Sequence, residues 1–127
     1  MNYSKSKTFS DVIEDFGSPT FVYDRDLIVS QYKSLKASFQ GRDVRVFYAM
    51  KANGHLAILQ AFHELGGNVD LVSGGELARA AHAQFSPDSM VFSGVGKTRE
   101  ELTKAVSLSL FSINCESLQE LHAISDI

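Results

Sequence analysis

The sequence predicts an α/β protein built on a parallel sheet, and two observations carry that prediction. From Val44 onward, strand-like apolar runs alternate with helix-like segments at a spacing of about 20 residues, the rhythm of βα units. Three helix starts carry the same capping signature, Ser73-x-x-Glu76, Thr98-x-x-Glu101 and Ser117-x-x-Glu120. In it a hydroxyl and a carboxylate satisfy N–H groups that the first helical turn leaves open. Such a repeat fits a doubly wound open sheet or the first part of a (β/α)8 barrel. A complete barrel takes ~250 residues, and this chain supplies about four units. Either way, functional groups gather at the C-terminal ends of the strands.

Taken in order, Met1 to Ser10 is polar and reads as a loose leader, with residues 1–16 set apart from a domain over 17–127. Phe16-Gly17-Ser18-Pro19 is a turn, and Thr20 to Tyr23 a short strand ended by Asp24. Asp24 or Asp26 caps a helix running to Gln40, whose apolar stripe is Ile28, Tyr32, Leu35 and Phe39, and Gly41 stops it. Strands follow at Val44–Met50, Val69–Val72, Met90–Ser93 and Phe111–Cys115. The helices between and after them run over His55–Leu65, Gly75–Gln84, Arg99–Val106 and from Leu118 onward.

The net charge of −3, with scattered basic residues, argues against nucleic acid or an anionic membrane surface as partner. No apolar run approaches the ~20 residues of a membrane span. Cys115 is the single cysteine and reads as a small core residue, and the four histidines share no metal-binding spacing. The expectation is a soluble cytoplasmic protein with no metal site.

Lys51 is the residue around which chemistry gathers. Side chains alternate along a strand, so Phe47, Ala49 and Lys51 fall on one face, with the small Ala49 leaving open space beneath the amine. A lysine closing a buried strand is costly unless it is paired, neutralised or covalently used. Desolvated and neutral, its amine can form a Schiff base with an aldehyde. The alternative is a strand-end lysine that snorkels to solvent. Asp70 stands among apolar strand residues, as a structural ion-pair partner or as a carboxylate that holds such an amine. The cap explains Ser73 and Glu76 but not the Gly74-Gly75 pair between them, which lets backbone approach a ligand. Ser93-Gly94-Val95-Gly96-Lys97-Thr98 is not a P-loop, because Val91 holds the place of its first glycine. It reads as a glycine-rich turn with Thr98 as N-cap, from which Lys97 is able to reach an anion.

Tyr48-Ala-Met-Lys-Ala-Asn53 closely resembles the lysine motif of fold-type III pyridoxal-phosphate enzymes, the alanine racemase-like barrels. Three further stretches resemble the diaminopimelate decarboxylase branch of that group: Val69-Asp-Leu-Val-Ser-Gly-Gly-Glu-Leu77, Val91-Phe-Ser-Gly-Val-Gly-Lys-Thr-x-x-Glu101 and Ile113-Asn-x-Glu-Ser117. The resemblance spans residues 17 to 125 and implies a partial (β/α)8 barrel. It implies that Lys51 holds pyridoxal phosphate, that Ala49 lines it, that Asp70 is the active-site aspartate of the second strand, and that Glu76 lies near the site. The implied reaction is decarboxylation of a small amino acid, meso-diaminopimelate to L-lysine, in a homodimer. Thr20–Tyr23 would then join a separate β domain. The family's remaining barrel units, phosphate-binding loops and β domain would follow residue 127, so the chain alone is expected to be inactive and to associate. A sister decarboxylase acting on another amino acid, or a non-catalytic remnant that binds the cofactor or a partner, are the alternatives. This chain departs from the family in lacking the glycines usual near Gln84-Phe85 and Leu108-Ser109.

Overall fold

The computed structural model describes residues 8–127. Helices α1 (Phe9–Phe16) and α2 (Arg25–Ser38) precede the repeat. Four βα units follow: β1 (Phe47–Ala49) with α3 (Leu56–Glu64), β2 (Asn68–Leu71) with α4 (Gly74–His82), β3 (Met90–Phe92) with α5 (Arg99–Ser107), and β4 (Ser112–Ile113) with α6 (Leu118–Ser125). The strands form one parallel sheet in the order β1-β2-β3-β4, so each helix crosses to the strand next door.

Burial separates the two faces of this sheet. Val69, Leu71, Met90 and Phe92 point to the side covered by helices, where they pack with Leu59, Phe62, Leu77, Ala80 and Ala105. The opposite face carries Phe47, Ala49, Asn68, Asp70, Val91 and Ser112, which neighbour one another in register. None of these six belongs to the core cluster. A doubly wound sheet would have helices on both faces, whereas here they cover one, and of the six residues on the other only Val91 is buried.

The sheet also curls. Phe47 on β1 and Phe111, in the bend leading into β4, have ring centroids 5.5 Å apart. In a flat sheet the first and fourth strands would lie about 14 Å apart. The Arg45 guanidinium sits 4.6 Å from the Phe111 ring centre and covers the same contact. One-sided burial and this curvature make the unit a partial (β/α)8 barrel.

Several local expectations are corrected. Of the loose leader expected over 1–16, residues 1–7 lie outside the described residues, and Phe9–Phe16 is a helix. Thr8 caps it, accepting from the Asp11 N–H while the Asp11 carboxylate accepts from the Thr8 N–H, so aspartate replaces the usual glutamate in the box. The strand expected over Thr20–Tyr23 does not form: it pairs with no strand among the described residues, and Phe21 is 89% exposed. Except at β2, the strands are shorter than their expected runs. At β1 the reason is visible, because the Val46 carbonyl is taken by the Asn68 side chain at 3.1 Å instead of by a backbone N–H. Cys115 is exposed rather than core, beyond the end of β4.

Candidate active site

The C-terminal end of β1 runs into a single 3-10 turn, Met50–Ala52. Strand alternation therefore stops at Ala49. Met50 becomes the buried anchor, and Lys51 lies exposed on the turn rather than buried at a strand end. Lys51 makes no hydrogen bond or ion pair with any described residue. The turn itself is well fastened. The Tyr48 hydroxyl donates to the Asn53 carbonyl at 3.0 Å, and the Tyr48 ring stacks on Phe62 with centroids 4.2 Å apart. Burial pushes the Tyr48 phenol up, which keeps it protonated and donating. Beyond it, Asn53 Oδ1 accepts from the His55 N–H at 2.9 Å. The backbone around Lys51 is pinned while its amine has no partner among the described residues.

Ala49 and Asp70 are register neighbours on the face away from the helices. Asp70 is half-buried and forms no ion pair with Lys51. Its carboxylate Oδ1 instead accepts from the Ser93 hydroxyl, and Ser93 Oγ in turn accepts from Asn114 Nδ2 at 2.9 Å. Three consecutive strand ends are thus joined by polar side chains, with no partner at Asp70 Oδ2 among the described residues. Reading the sequence missed Ser93 and Asn114 as site residues. The available signal was parity: with Asp70↔Val91 and Val91↔Ser112 in register, Ser93 and Asn114 lie two residues further along on the same face.

Glu76 is committed locally. Its Oε2 accepts from the Val72 N–H at 2.7 Å, and Ser73 Oγ accepts from the Glu76 N–H. Glu76 therefore reaches one residue further back than a reciprocal box requires. Gly74 is explained by the protein itself, since its N–H donates to Glu101 Oε1 at 2.7 Å and an added Cβ would lie 3.1 Å from that carboxylate. Around Gly75 the nearest atom to an added Cβ is Ser73 Oγ at 3.8 Å, which leaves room.

The anion that Lys97 reaches is the protein's own Glu120. Its ammonium donates to the Gly94 carbonyl, the Asn114 carbonyl and Glu120 Oε1 at 2.7, 2.8 and 2.9 Å, and its side chain is only 1% exposed. All three of its donors are used.

These residues suit a group carrying an aldehyde and a polar ring. They offer an unengaged primary amine, a methyl-sized neighbour at Ala49, and a carboxylate oxygen with open valence on the uncovered face. An open groove of about 350 Å³ beside Val95, Arg99 and Gln119 contains none of Lys51, Ala49 or Asp70. Among the described residues no three His, Cys, Asp or Glu gather as a metal site, and no helix is long and apolar enough to cross a membrane.

Known proteins share this fold and part of its sequence. The family described as pyridoxal-dependent decarboxylase, pyridoxal binding domain, matches residues 25–127. Diaminopimelate decarboxylase of Pseudomonas fluorescens is 41% identical over 119 residues, covering 94% of this chain and 29% of that protein. The crystal structure of diaminopimelate decarboxylase from Helicobacter pylori complexed with L-lysine matches with a TM-score of 0.88 at 36% identity, over 94% of this chain and 30% of that one. A lysine/ornithine decarboxylase from Vibrio vulnificus, complexed with cadaverine, shares the fold with a TM-score of 0.83 at 24% identity, over 92% of this chain and 32% of that one. The chain spans less than a third of the length of the curated relatives it matches.

Proposed function

The chain belongs to the pyridoxal-dependent decarboxylase family, and on that footing we propose that it supplies the cofactor-anchoring lysine for decarboxylation of an amino acid. One observation carries the reading: Lys51 is a primary amine with no partner among the described residues, on a braced turn at the strand end where Ala49 and Asp70 stand side by side.

Pyridoxal phosphate, when bound, supplies a ring that takes up the electron pair released as a substrate carboxylate departs as carbon dioxide. Lys51 Nζ would hold the cofactor through its aldehyde and would be the group placed to move a proton beside it. Ala49 keeps the space beside it open. Asp70 presents a fixed carboxylate oxygen to the same face and orients the bound group. Glu76 acts through the loop it closes at the end of β2.

The substrate we propose is meso-diaminopimelate, converted to L-lysine. Identities of 32 to 41% to diaminopimelate decarboxylases, against 24% to the lysine/ornithine enzyme, support that choice over a sister activity. A homodimer and a cytoplasmic location belong to the same reading.

The test is to add pyridoxal phosphate to the purified chain, reduce with borohydride and map the labelled peptide. Label confined to Lys51, and absent from Lys51→Ala, supports the reading. Label spread evenly over surface lysines overturns it.

A further inference from the structure

We propose that Ser93 and Asn114 are positioning residues that orient the Asp70 carboxylate, through a directed hydrogen-bond relay across the ends of β2, β3 and β4. A hydroxyl has one proton to give and two lone pairs to receive with. Asn114 Nδ2 donates to Ser93 Oγ at 2.9 Å, which occupies a lone pair, and the Ser93 proton is then directed to Asp70 Oδ1. The relay has one sense only, because an ionised carboxylate cannot donate.

Its far end is anchored independently. The Asn114 N–H donates to the Phe92 carbonyl at 2.9 Å, and the Asn114 carbonyl accepts from buried Lys97 at 2.8 Å. The Asn114 backbone is therefore gripped on both sides, and its side chain has a fixed origin from which to reach Ser93. Asp70, at the near end, is in register with Ala49, and its Oδ2 has no partner among the described residues. One oxygen is tied down and the other is offered.

The relay stands without any ligand, whereas its consequence for cofactor binding rests on the Lys51 reading above. The two are separated by two measurements on the 127-residue chain. In a ¹⁵N spectrum without cofactor, Asp70→Asn shifts the Asn114 side-chain amide signal although the two residues do not touch, and the response disappears in a Ser93→Ala background. A purely structural serine would not transmit that signal. Ser93→Thr, which keeps the hydroxyl, retains it. An Asn114 signal indifferent to Asp70→Asn, or one responding equally without the Ser93 hydroxyl, overturns the relay.

Pyridoxal phosphate titration then reads the consequence. Ser93→Ala weakens cofactor affinity about ten-fold, the scale of one lost hydrogen bond to a charged group, and has no further effect once Asp70 is Asn. Additive losses from the two substitutions overturn the positioning role. If no cofactor is trapped on Lys51 while the amide response is present, the Lys51 reading fails and the relay stands.

Discussion

Glu101 Oε1 accepts the Gly74 N–H at 2.7 Å, so a carboxylate at the start of α5 closes the start of α4. Its other oxygen accepts from the Thr98 N–H and hydroxyl, both at 2.9 Å, which completes its own capping box. One unit further along, Glu120 caps α6 through the Glu116 N–H and reaches back to Lys97 ahead of α5. Each of these N3 glutamates serves its own helix and the unit before it. The loops at the C-terminal end of the sheet are stitched in sequence, and that is the end where Lys51 and Asp70 stand.

This stitching predicts that the two adjacent glycines differ. At Gly74 an added Cβ would lie 3.1 Å from Glu101 Cγ and Oε1, and Glu101 is held by three hydrogen bonds and cannot retreat. Gly74→Ala therefore costs about 1 kcal/mol by displacing that contact. Gly75→Ala meets only open space and stays within about 0.5 kcal/mol of the parent. Urea unfolding of the two variants checks this, and equal midpoints would sink it.

The same carboxylates set the acid response. The Thr98 and then the Gly74 N–H hold Glu101 below the ordinary carboxylate range, and Lys97 followed by the Glu116 N–H does so for Glu120. These partners exist only in the fold, so the unfolded chain binds protons at higher pH than the folded one. Their stabilisation is complete above about pH 4.5, the ordinary glutamate value, and is lost as pH falls through the lower folded values. Thermal midpoints should fall below that pH, and Glu101→Gln and Glu120→Gln should each flatten the decline. A decline of unchanged steepness in both would refute the assignment.

The βα repeat, the three helix starts and the lysine at the end of the first strand of the sheet were legible because they are local. Periodicity and capping residues write themselves into neighbouring positions. The Ser93–Asn114 link was not legible, because 21 residues separate the pair and only the strand register brings them together. Nor was the partner of Gly74, which lies 27 residues away. Lys51 was located but not its environment: a single 3-10 turn after Ala49 ends the strand alternation and leaves it exposed.

Lys97 and Glu120 form a pair 2.9 Å apart whose side chains are 1% and 9% exposed. Such a pair need not add net stability, yet breaking it is costly, because the survivor stays buried and charged. Lys97→Met leaves Glu120 uncompensated and two carbonyls without their donor, and should cost about 3 kcal/mol in urea unfolding. The double variant Lys97→Met with Glu120→Leu should recover part of that loss. A double variant no more stable than Lys97→Met would mean the carboxylate is not the burden.

Three successive helices end in the same way, and two of them do so against residue preference. After α3, Gly66 takes φ 63° and the Gly67 N–H returns to the Phe62 carbonyl at 2.9 Å. After α4, Gln84 takes φ 68° and the Phe85 N–H returns to Ala80, while after α5 Ser109 takes φ 55° and Leu110 returns to Ala105. This is the left-handed helix stop that glycine accepts without penalty and a side chain does not. The missing glycines near 84 and 109 are therefore sites of tolerated strain. Gln84→Gly and Ser109→Gly should each stabilise the chain by about 0.5–1 kcal/mol, the relief at φ > 0 exceeding the entropy that glycine adds to the unfolded state. Gly66→Ala, the reciprocal change, should destabilise by about 1 kcal/mol. Melting all three variants beside the parent gives opposite signs on this account, and a loss of stability at either Gln84 or Ser109 would contradict it.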